Sequence, residues 1–455
     1  MTVDLWADAR ERLGDAPLPR SDELRPTIQQ RRRRGYEPRR DDDGRAAVRL
    51  LRDDGLLRWV YEPPGPPRAA DGGRRSWRAV GLDPRETVTR IPFREPGENA
   101  VTAGLVRLDQ RLNPALGGLS GPTQGLRRWD GAQWAPLPAG WLAGLTGRVL
   151  VLVHGTFSAS AMYDQAFAAT PDGQALFERL TRAGDGPGGY GAVLAFDHPT
   201  LSVAPWLNAL ALRDALAPCK AALDFVGHSR GGLVIAWLLR LAPLLPVRQA
   251  LFVGSPLAGT SLAAPDRLRQ ALDTLASIAD ALAAAAAKAG QVLPGLQPLS
   301  LGVAGLACVL GRVLQLGART PLADAAVGLV PGLLAQGRVS NNLELAQLWP
   351  LQGAAASGAD LRAIGGSFRP SEVDEPLWKV WKRITHLKDQ AAYYGADLIF
   401  DQPNDLVVDS GAMHRLGDAT LAAPQWEDLG VSATTHHCNY FQDGRVLAWL
   451  DGRLR

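Results

Sequence analysis

The chain has 455 residues, of which 46% are hydrophobic and 21% charged, and its formal net charge is +3. This composition is typical of a globular protein and excludes a wholly disordered, collagen-like or coiled-coil chain. Because the net charge is small, no nucleic acid partner is expected. The three cysteines, Cys219, Cys308 and Cys438, are far apart and fit neither a disulfide framework nor a paired-cysteine zinc site.

The first 145 residues divide into two predicted regions. In residues 1–45 a basic cluster at 31–34 is followed closely by the acidic run 41–43, which favours a charged, partly disordered arm. The N-terminus lacks a basic segment followed by an apolar core, so a cytoplasmic protein is expected. In residues 46–145 short apolar runs lie between proline and glycine clusters, which predicts a small β-rich region.

From residue 146 onward, apolar runs alternate with helix-like segments. The predicted strands are Arg148–Val153, Gly191–Phe196, Ala221–Val226 and Ala250–Gly254. Helices are predicted near 172–183, 203–217 and 230–242. Since the strands are apolar on both faces and alternate with helices, they predict an α/β fold with a mostly parallel central sheet covered by helices on both faces.

Residues 262–338 are rich in alanine and leucine and predict helices instead of further strands. The stretch 289–311 carries no charged residue, but Pro294, Pro298 and several glycines interrupt it. Helices over a pocket are therefore favoured over a membrane-spanning helix. The sheet pattern resumes near 361–364 and 396–400.

The strongest chemical signal is the sequence Gly227-His228-Ser229-Arg230-Gly231 between a predicted strand and a predicted helix. A serine at this position of a sharp turn takes a strained backbone conformation, and the two glycines leave room for it. Its hydroxyl then stands at the carboxyl edge of the sheet, where the helix N-terminus favours a developing oxyanion. Ser229 is therefore the candidate nucleophile, and the alternative is a helix-capping serine.

These features resemble the α/β-hydrolase fold in its lipase and esterase branch, over residues 146–455. Two further segments carry the resemblance, His154-Gly155-Thr156-Phe157 and the turn over residues 254–260. The resemblance implies that the backbone N–H groups of Thr156 and Arg230 are the oxyanion donors. It gives His154 a structural role.

In that fold the acid follows the serine, and the histidine follows the acid. Asp405 lies in a loop after the predicted strand 396–400 and is the candidate acid. Asp401 and Asp409 are its competitors, and a plain turn is the alternative to an acid loop.

The candidate base is His437, just before an apolar C-terminal run. Adjacent histidines in an extended loop point in opposite directions, so one of His436 and His437 serves, and His437 is favoured. The other histidine after Asp405, His414, is only nine residues beyond it, which predicts that it lies in the same loop or helix as the acid. A metal site at 436–438 lacks spaced partner ligands, and no metal or organic cofactor is expected.

The resemblance implies a serine hydrolase that cleaves a carboxylic ester through a Ser-His-Asp triad and an acyl-enzyme. The apolar insert 262–338 is predicted to form a lid over the catalytic edge of the sheet. Such a lid favours a bulky or lipid-like ester and peripheral membrane contact. The alternatives are an acyltransferase with the same triad and a non-catalytic binding module that uses the N-terminal β-rich region. Protein partners and oligomeric state stay open.

Overall fold

A computed structural model describes most of the chain. The described residues are 47–53, 56–62, 86–92, 100–116, 125–182, 189–263, 268–289, 299–307, 330–337, 342–348, 358–371, 378, 381, 402–417 and 419–455. The predicted arm 1–45, the predicted strand 396–400, Asp401 and Cys308 lie outside them.

The first described elements form a small antiparallel sheet in the order β2-β1-β3. Its strands are β1 (Ala47–Asp53), β2 (Leu56–Glu62) and β3 (Glu86–Pro92). A helix, α1 (Ala100–Leu112), follows within residues 46–145, for which a small β-rich region was predicted. It ends shortly before the short 3₁₀ helix Pro114–Leu116.

The central sheet has eight strands in the order β13-β10-β9-β8-β6-β7-β4-β5. The strands are β4 (Gly125–Trp129), β5 (Trp134–Pro136), β6 (Arg148–Val153), β7 (Ala192–Asp197), β8 (Ala222–His228), β9 (Val247–Val253), β10 (Asp360–Phe368) and β13 (Trp426–Ser432). All neighbours from β7 to β13 are parallel, whereas β4 pairs antiparallel with both β7 and β5. A separate two-stranded ladder joins β11 (Arg415–Leu416) to β12 (Ala419–Thr420).

The β4–β5 hairpin shows that the sheet begins before the predicted domain boundary at residues 145–146. Strand β4 pairs with β7 from Gly125 to Arg128, so residues upstream of 146 complete one edge of the sheet. These strands are short and only partly buried, as an edge hairpin requires, and their pattern resembles that of a small independent β unit.

Ten helices are described. They are α1, α2 (Ala161–Ala168), α3 (Pro171–Thr181), α4 (Pro205–Leu216), α5 (Arg230–Leu241), α6 (Leu268–Ala289), α7 (299–307), α8 (Pro331–Leu334), α9 (Leu343–Leu348) and α10 (Gly444–Arg453). Among these described helices, none combines the length and apolar character needed to cross a membrane.

Helices cover both faces of the sheet because side chains alternate along each buried strand. Val149, Val151 and Val153 of β6 share a core with α4 and α5. Leu150 and Leu152 share the opposite core with α2, α3 and α10. The mostly parallel sheet, its two helical layers and the serine turn after β8 confirm the predicted α/β-hydrolase fold.

Candidate active site

The turn between β8 and α5 holds Ser229 in a strained conformation. Its φ is 52° and its ψ −128°, which few residues other than glycine adopt. The neighbouring glycine is required by packing, because a Cβ at Gly231 would lie 2.0 Å from the carbonyl oxygen of Val153. The strain is held by the surrounding strands, since Ser229 N donates to Val253 O at 3.0 Å.

Three side chains that are far apart in sequence meet at this turn. Nε2 of His437 lies 2.9 Å from Oγ of Ser229. Nδ1 of His437 lies 2.7 Å from Oδ2 of Asp405. All three residues are buried, although each borders or supports the same cavity. These distances fit an imidazole that accepts a hydrogen bond from the serine hydroxyl at Nε2 and donates one to the carboxylate from Nδ1.

Asp405 is held as an anion by its loop. Its Oδ1 accepts the backbone N–H groups of Val407 at 3.0 Å and Val408 at 2.8 Å. Its Oδ2 accepts the Tyr440 hydroxyl at 2.9 Å. Burial by itself would raise the pKa of Asp405, but His437 and the two backbone hydrogen bonds outweigh it, so the pKa lies below its ordinary value.

The neighbouring histidine, His436, lies outside this relay. Its ring packs edge-on against Phe368 at 5.6 Å, and its Nδ1 accepts the Cys438 backbone N–H at 3.3 Å. Burial lowers the pKa of His436 to about 4, so the ring is neutral at pH 7. The two adjacent histidines therefore have different surroundings, although the segment is a turn, closed by the Asn439 N–H donating to His436 O at 3.1 Å, and not the extended loop that the sequence predicted.

The other acid and base candidates have structural contacts. Asp409 accepts both the backbone N–H of Ser261 at 3.0 Å and its hydroxyl at 2.7 Å, which fixes the start of the insert. The His414 ring stacks on Trp426 at 4.8 Å. His154 has its Nδ1 3.0 Å from Gly155 O and stacks on a second buried histidine, His198, at 4.1 Å.

The loop after β6 lies directly against the nucleophile. A Cβ at Gly155 would lie 2.8 Å from the Ser229 Cβ, and Thr156 lines the same cavity as Ser229. Arg230 directly follows Ser229 as the first residue of α5, so both candidate oxyanion donors lie next to the candidate nucleophile.

The Arg230 side chain has a separate task beneath the site. It is fully buried and donates to Val203 O at 2.6 Å and to Asn208 Oδ1 at 2.7 Å. Burial lowers the pKa of Arg230 to about 10, so the guanidinium stays protonated at neutral pH. It thereby anchors the start of α4 to the serine turn.

Three contacts of the site were not predicted from sequence. His228 has its Nε2 3.0 Å from the carbonyl oxygen of His437, and burial lowers the pKa of His228 to about 3, so its neutral ring fixes the backbone of the candidate base. Tyr440 binds Asp405, and its spacing of three residues after His437 is the only sequence signal for it. Gln336 Nε2 donates to Thr156 Oγ1 at 3.0 Å.

An apolar cavity opens over Ser229. Four leucines of the insert line it, Leu262, Leu275, Leu299 and Leu333. Met162 of α2 and Val407, from the loop of Asp405, also line it. Among the described residues that line this cavity there is no Asp, Glu, Lys or Arg. An uncharged, apolar group is therefore the ligand part that fits it best.

The His-His-Cys run at 436–438 carries the residue types of a metal site. Across the part of the chain that the structure describes, no three His, Cys, Asp or Glu side chains are grouped so as to hold a metal ion. Both ring nitrogens of His437 face Ser229 and Asp405 instead.

Residues 122–455 match the sequence profile of a family described as a domain of unknown function, DUF7379. The chain belongs to this family. The matched region begins three residues before β4, in agreement with the place of the β4–β5 hairpin in the central sheet. No match was found among the curated proteins.

Solved structures with a similar fold include several hydrolases. Lipase 1 from Pelosinus fermentans is 15% identical, with a TM-score of 0.40, and the match covers 68% of this chain and 98% of that one. The lipase BlEst2 from Bacillus licheniformis is 14% identical, with a TM-score of 0.30, over 67% and 91%. The Cif epoxide hydrolase from Acinetobacter nosocomialis is 12% identical, with a TM-score of 0.35, over 78% and 97%.

Proposed function

We propose that the protein is a serine hydrolase that cleaves a carboxylic ester through an acyl-enzyme. The observation that carries the proposal is the unbroken contact from Ser229 Oγ through His437 to Asp405, at 2.9 Å and 2.7 Å. A serine hydroxyl needs a base to act as a nucleophile at neutral pH, and the base needs a carboxylate to fix its tautomer. Here His437 contacts Ser229 with one ring nitrogen and Asp405 with the other.

In the first half of the reaction, Ser229 Oγ attacks the ester carbonyl carbon and His437 Nε2 takes the hydroxyl proton. The carbonyl oxygen becomes an oxyanion, which accepts the backbone N–H groups of Thr156 and Arg230. The C–O bond to the leaving group then breaks, and His437 returns the proton to the departing alcohol. Water repeats these steps on the acyl-enzyme and releases the carboxylic acid.

The cavity supports a bulky or lipid-like acyl group. Four leucines of the insert line it. The described lining residues include no Asp, Glu, Lys or Arg, so an apolar chain bound there would leave no charged side chain without a partner. We propose that the insert 262–338 acts as the lid of this pocket. Contact of the insert with a membrane surface and a cytoplasmic location belong to the same proposal.

Labelling with a fluorophosphonate tests the nucleophile. The wild type, Ser229→Ala and Ser158→Ala are compared, since Ser158 lines the same cavity and serves as the matched control. The expected result is labelling of the wild type and Ser158→Ala at Ser229, located by peptide mass spectrometry, and none of Ser229→Ala. Equal labelling of Ser229→Ala would show that the nucleophile is another residue.

Turnover of p-nitrophenyl esters of increasing chain length tests the reaction itself. Release of the free carboxylic acid in water is expected, with a preference for longer chains. Formation of a new ester as the main product when an alcohol is added would favour an acyltransferase. Full labelling of Ser229 without turnover of any ester would favour another acyl substrate. The absence of both labelling and turnover would favour a non-catalytic binding module.

A further inference from the structure

Helix α1 lies outside the region matched by the family, yet it presents two buried polar side chains to the hydrolase core. Asp109 and Asn113 are four residues apart and so share one face of the helix end. Each is 2% exposed. Burial of a carboxylate or an amide without hydrogen bonds destabilises the fold. The hydrogen-bond partners of these two side chains therefore indicate what the helix holds in place.

Asp109 binds the loop that follows β7. Its Oδ1 accepts the backbone N–H groups of Thr200 at 2.8 Å and Leu201 at 3.0 Å. Its Oδ2 accepts the backbone N–H of Ser202 at 2.8 Å and the Ser202 hydroxyl at 2.6 Å. The Thr200 hydroxyl lies 3.2 Å from Oδ1. One carboxylate thus fixes three consecutive residues, and its hydrogen bonds to a charged acceptor are the strong kind.

Thr200 in turn holds the loop that contains Thr156, one of the two candidate oxyanion donors. Its Oγ1 accepts the backbone N–H of Phe157 at 3.3 Å. Phe157 has a φ of 57°, a conformation that a bulky residue keeps only when its surroundings impose it. Phe157 directly follows Thr156, so the contact with Thr200 fixes the peptide next to the candidate N–H donor.

Asn113 acts on the far end of the same loop. Its Nδ2 donates to Asp197 Oδ1 at 2.8 Å. The same carboxylate oxygen accepts the Ser160 backbone N–H at 2.9 Å and the Ser160 hydroxyl at 2.7 Å. Helix α1 therefore reaches the segment 154–160 at two places, at Phe157 through Thr200 and at Ser160 through Asp197.

We propose that α1 is a positioning element for the segment 154–160, which contains the candidate oxyanion donor Thr156, with Asp109 and Asn113 as the positioning residues. The inference rests on the proposed serine hydrolase activity. An oxyanion donor works only when it is held close to the place where charge develops, so a small displacement of the Thr156 N–H lowers the rate. The catalytic unit of this chain accordingly begins near residue 100 and not at the start of the family match.

The central test uses Thr200→Val, with Thr200→Ser as the conservative variant. Valine has the shape of threonine but cannot accept the Phe157 N–H, whereas serine keeps the acceptor. For Thr200→Val, kcat for a p-nitrophenyl ester should fall about tenfold while KM changes little, because the oxyanion forms only in the transition state. Thr200→Ser should keep most of the rate.

Two inhibitors separate positioning from general damage. A trifluoromethyl ketone with a long alkyl chain forms a tetrahedral adduct with an oxyanion, and its affinity should weaken about tenfold in Thr200→Val and Asn113→Ala. The matching secondary alcohol forms no adduct, and its affinity should not change. Gln110→Ala, on the same helix, is the control and should behave as the wild type in both assays.

The outcomes are distinguishable. Equal kcat and equal ketone affinity in Thr200→Val, Thr200→Ser and Gln110→Ala, with Ser229 still labelled, would overturn the role of α1 and leave the proposed function intact. A wild type that is not labelled at Ser229 would overturn both. If Asp109→Ala does not fold, the Thr200 pair decides the question, since Thr200→Val replaces one hydroxyl by a methyl group and Thr200→Ser removes one methyl group.

Discussion

The Tyr440 hydroxyl donates a hydrogen bond at 2.9 Å to Oδ2 of Asp405, the same oxygen that lies 2.7 Å from Nδ1 of His437. Burial and the nearby Asp405 raise the pKa of Tyr440 well above its ordinary value, so the hydroxyl stays protonated and acts only as a donor. The carboxylate is therefore fixed from two sides by residues three positions apart, and the orientation of Asp405 depends on both.

Tyr440→Phe removes this second contact without changing the packing of the ring. We expect kcat/KM to fall about tenfold, because a hydrogen bond to a charged group contributes about 1.5 kcal/mol and orients the acid. Tyr190→Phe is the matched control, since Tyr190 donates to the buried Asp224 at 2.7 Å near the start of β8, away from the serine turn. An equal loss of kcat/KM in both variants would contradict a role in the relay.

Substitution of the two adjacent histidines should lower kcat by very different amounts. His437→Ala removes the group that contacts both Ser229 and Asp405, and kcat should fall by a factor of about 10⁴ or more. His436→Ala removes a neutral ring that packs on Phe368, and kcat should fall by less than about tenfold. Initial rates at saturating ester measure both. A larger loss of kcat in His436→Ala would reverse the assignment.

The buried neutral histidines predict a loss of stability in acid. Burial lowers the pKa of His436 from 6.5 to about 4. Between these pH values the unfolded chain binds more protons than the folded one, so the free energy of unfolding falls as the pH falls from 6.5 toward 4. His228 adds to the same effect, since burial lowers its pKa to about 3.

Urea unfolding at pH 7 and pH 4.5 measures this dependence. His436→Gln should reduce the difference in unfolding free energy between the two pH values by about 2 kcal/mol relative to the wild type, because glutamine does not titrate. An unchanged difference would mean that His436 is charged in the folded protein or contributes nothing to the acid sensitivity.

The leucines of the insert predict an effect on chain-length preference. Leu275 lines the cavity, so Leu275→Asp places a charge where the acyl chain is proposed to lie. We expect kcat/KM for a twelve-carbon ester to fall at least tenfold more than for an acetate ester. Leu244→Asp is the control, because Leu244 is 96% exposed. The same decrease for both esters in Leu275→Asp would argue against an acyl pocket at this site.

The sequence by itself determined the features that depend on neighbours along the chain. Alternating apolar runs and helix-like segments predicted the parallel sheet, because a strand buried on both faces must be apolar throughout. The residues 227–231 predicted the strained turn at Ser229, since the two glycines and the strand-to-helix context are local. Family resemblance narrowed the acid and the base to a few positions.

The tertiary structure alone decided how distant residues meet. His436 and His437 are adjacent and chemically identical, and only the path of the chain 208 residues after Ser229 puts Nε2 of His437 at 2.9 Å from Oγ. Asp109 carries no motif, and its role follows from its contacts with residues 91 to 93 positions later. Local patterns specify backbone shape, whereas an encounter across the fold depends on how all elements pack together.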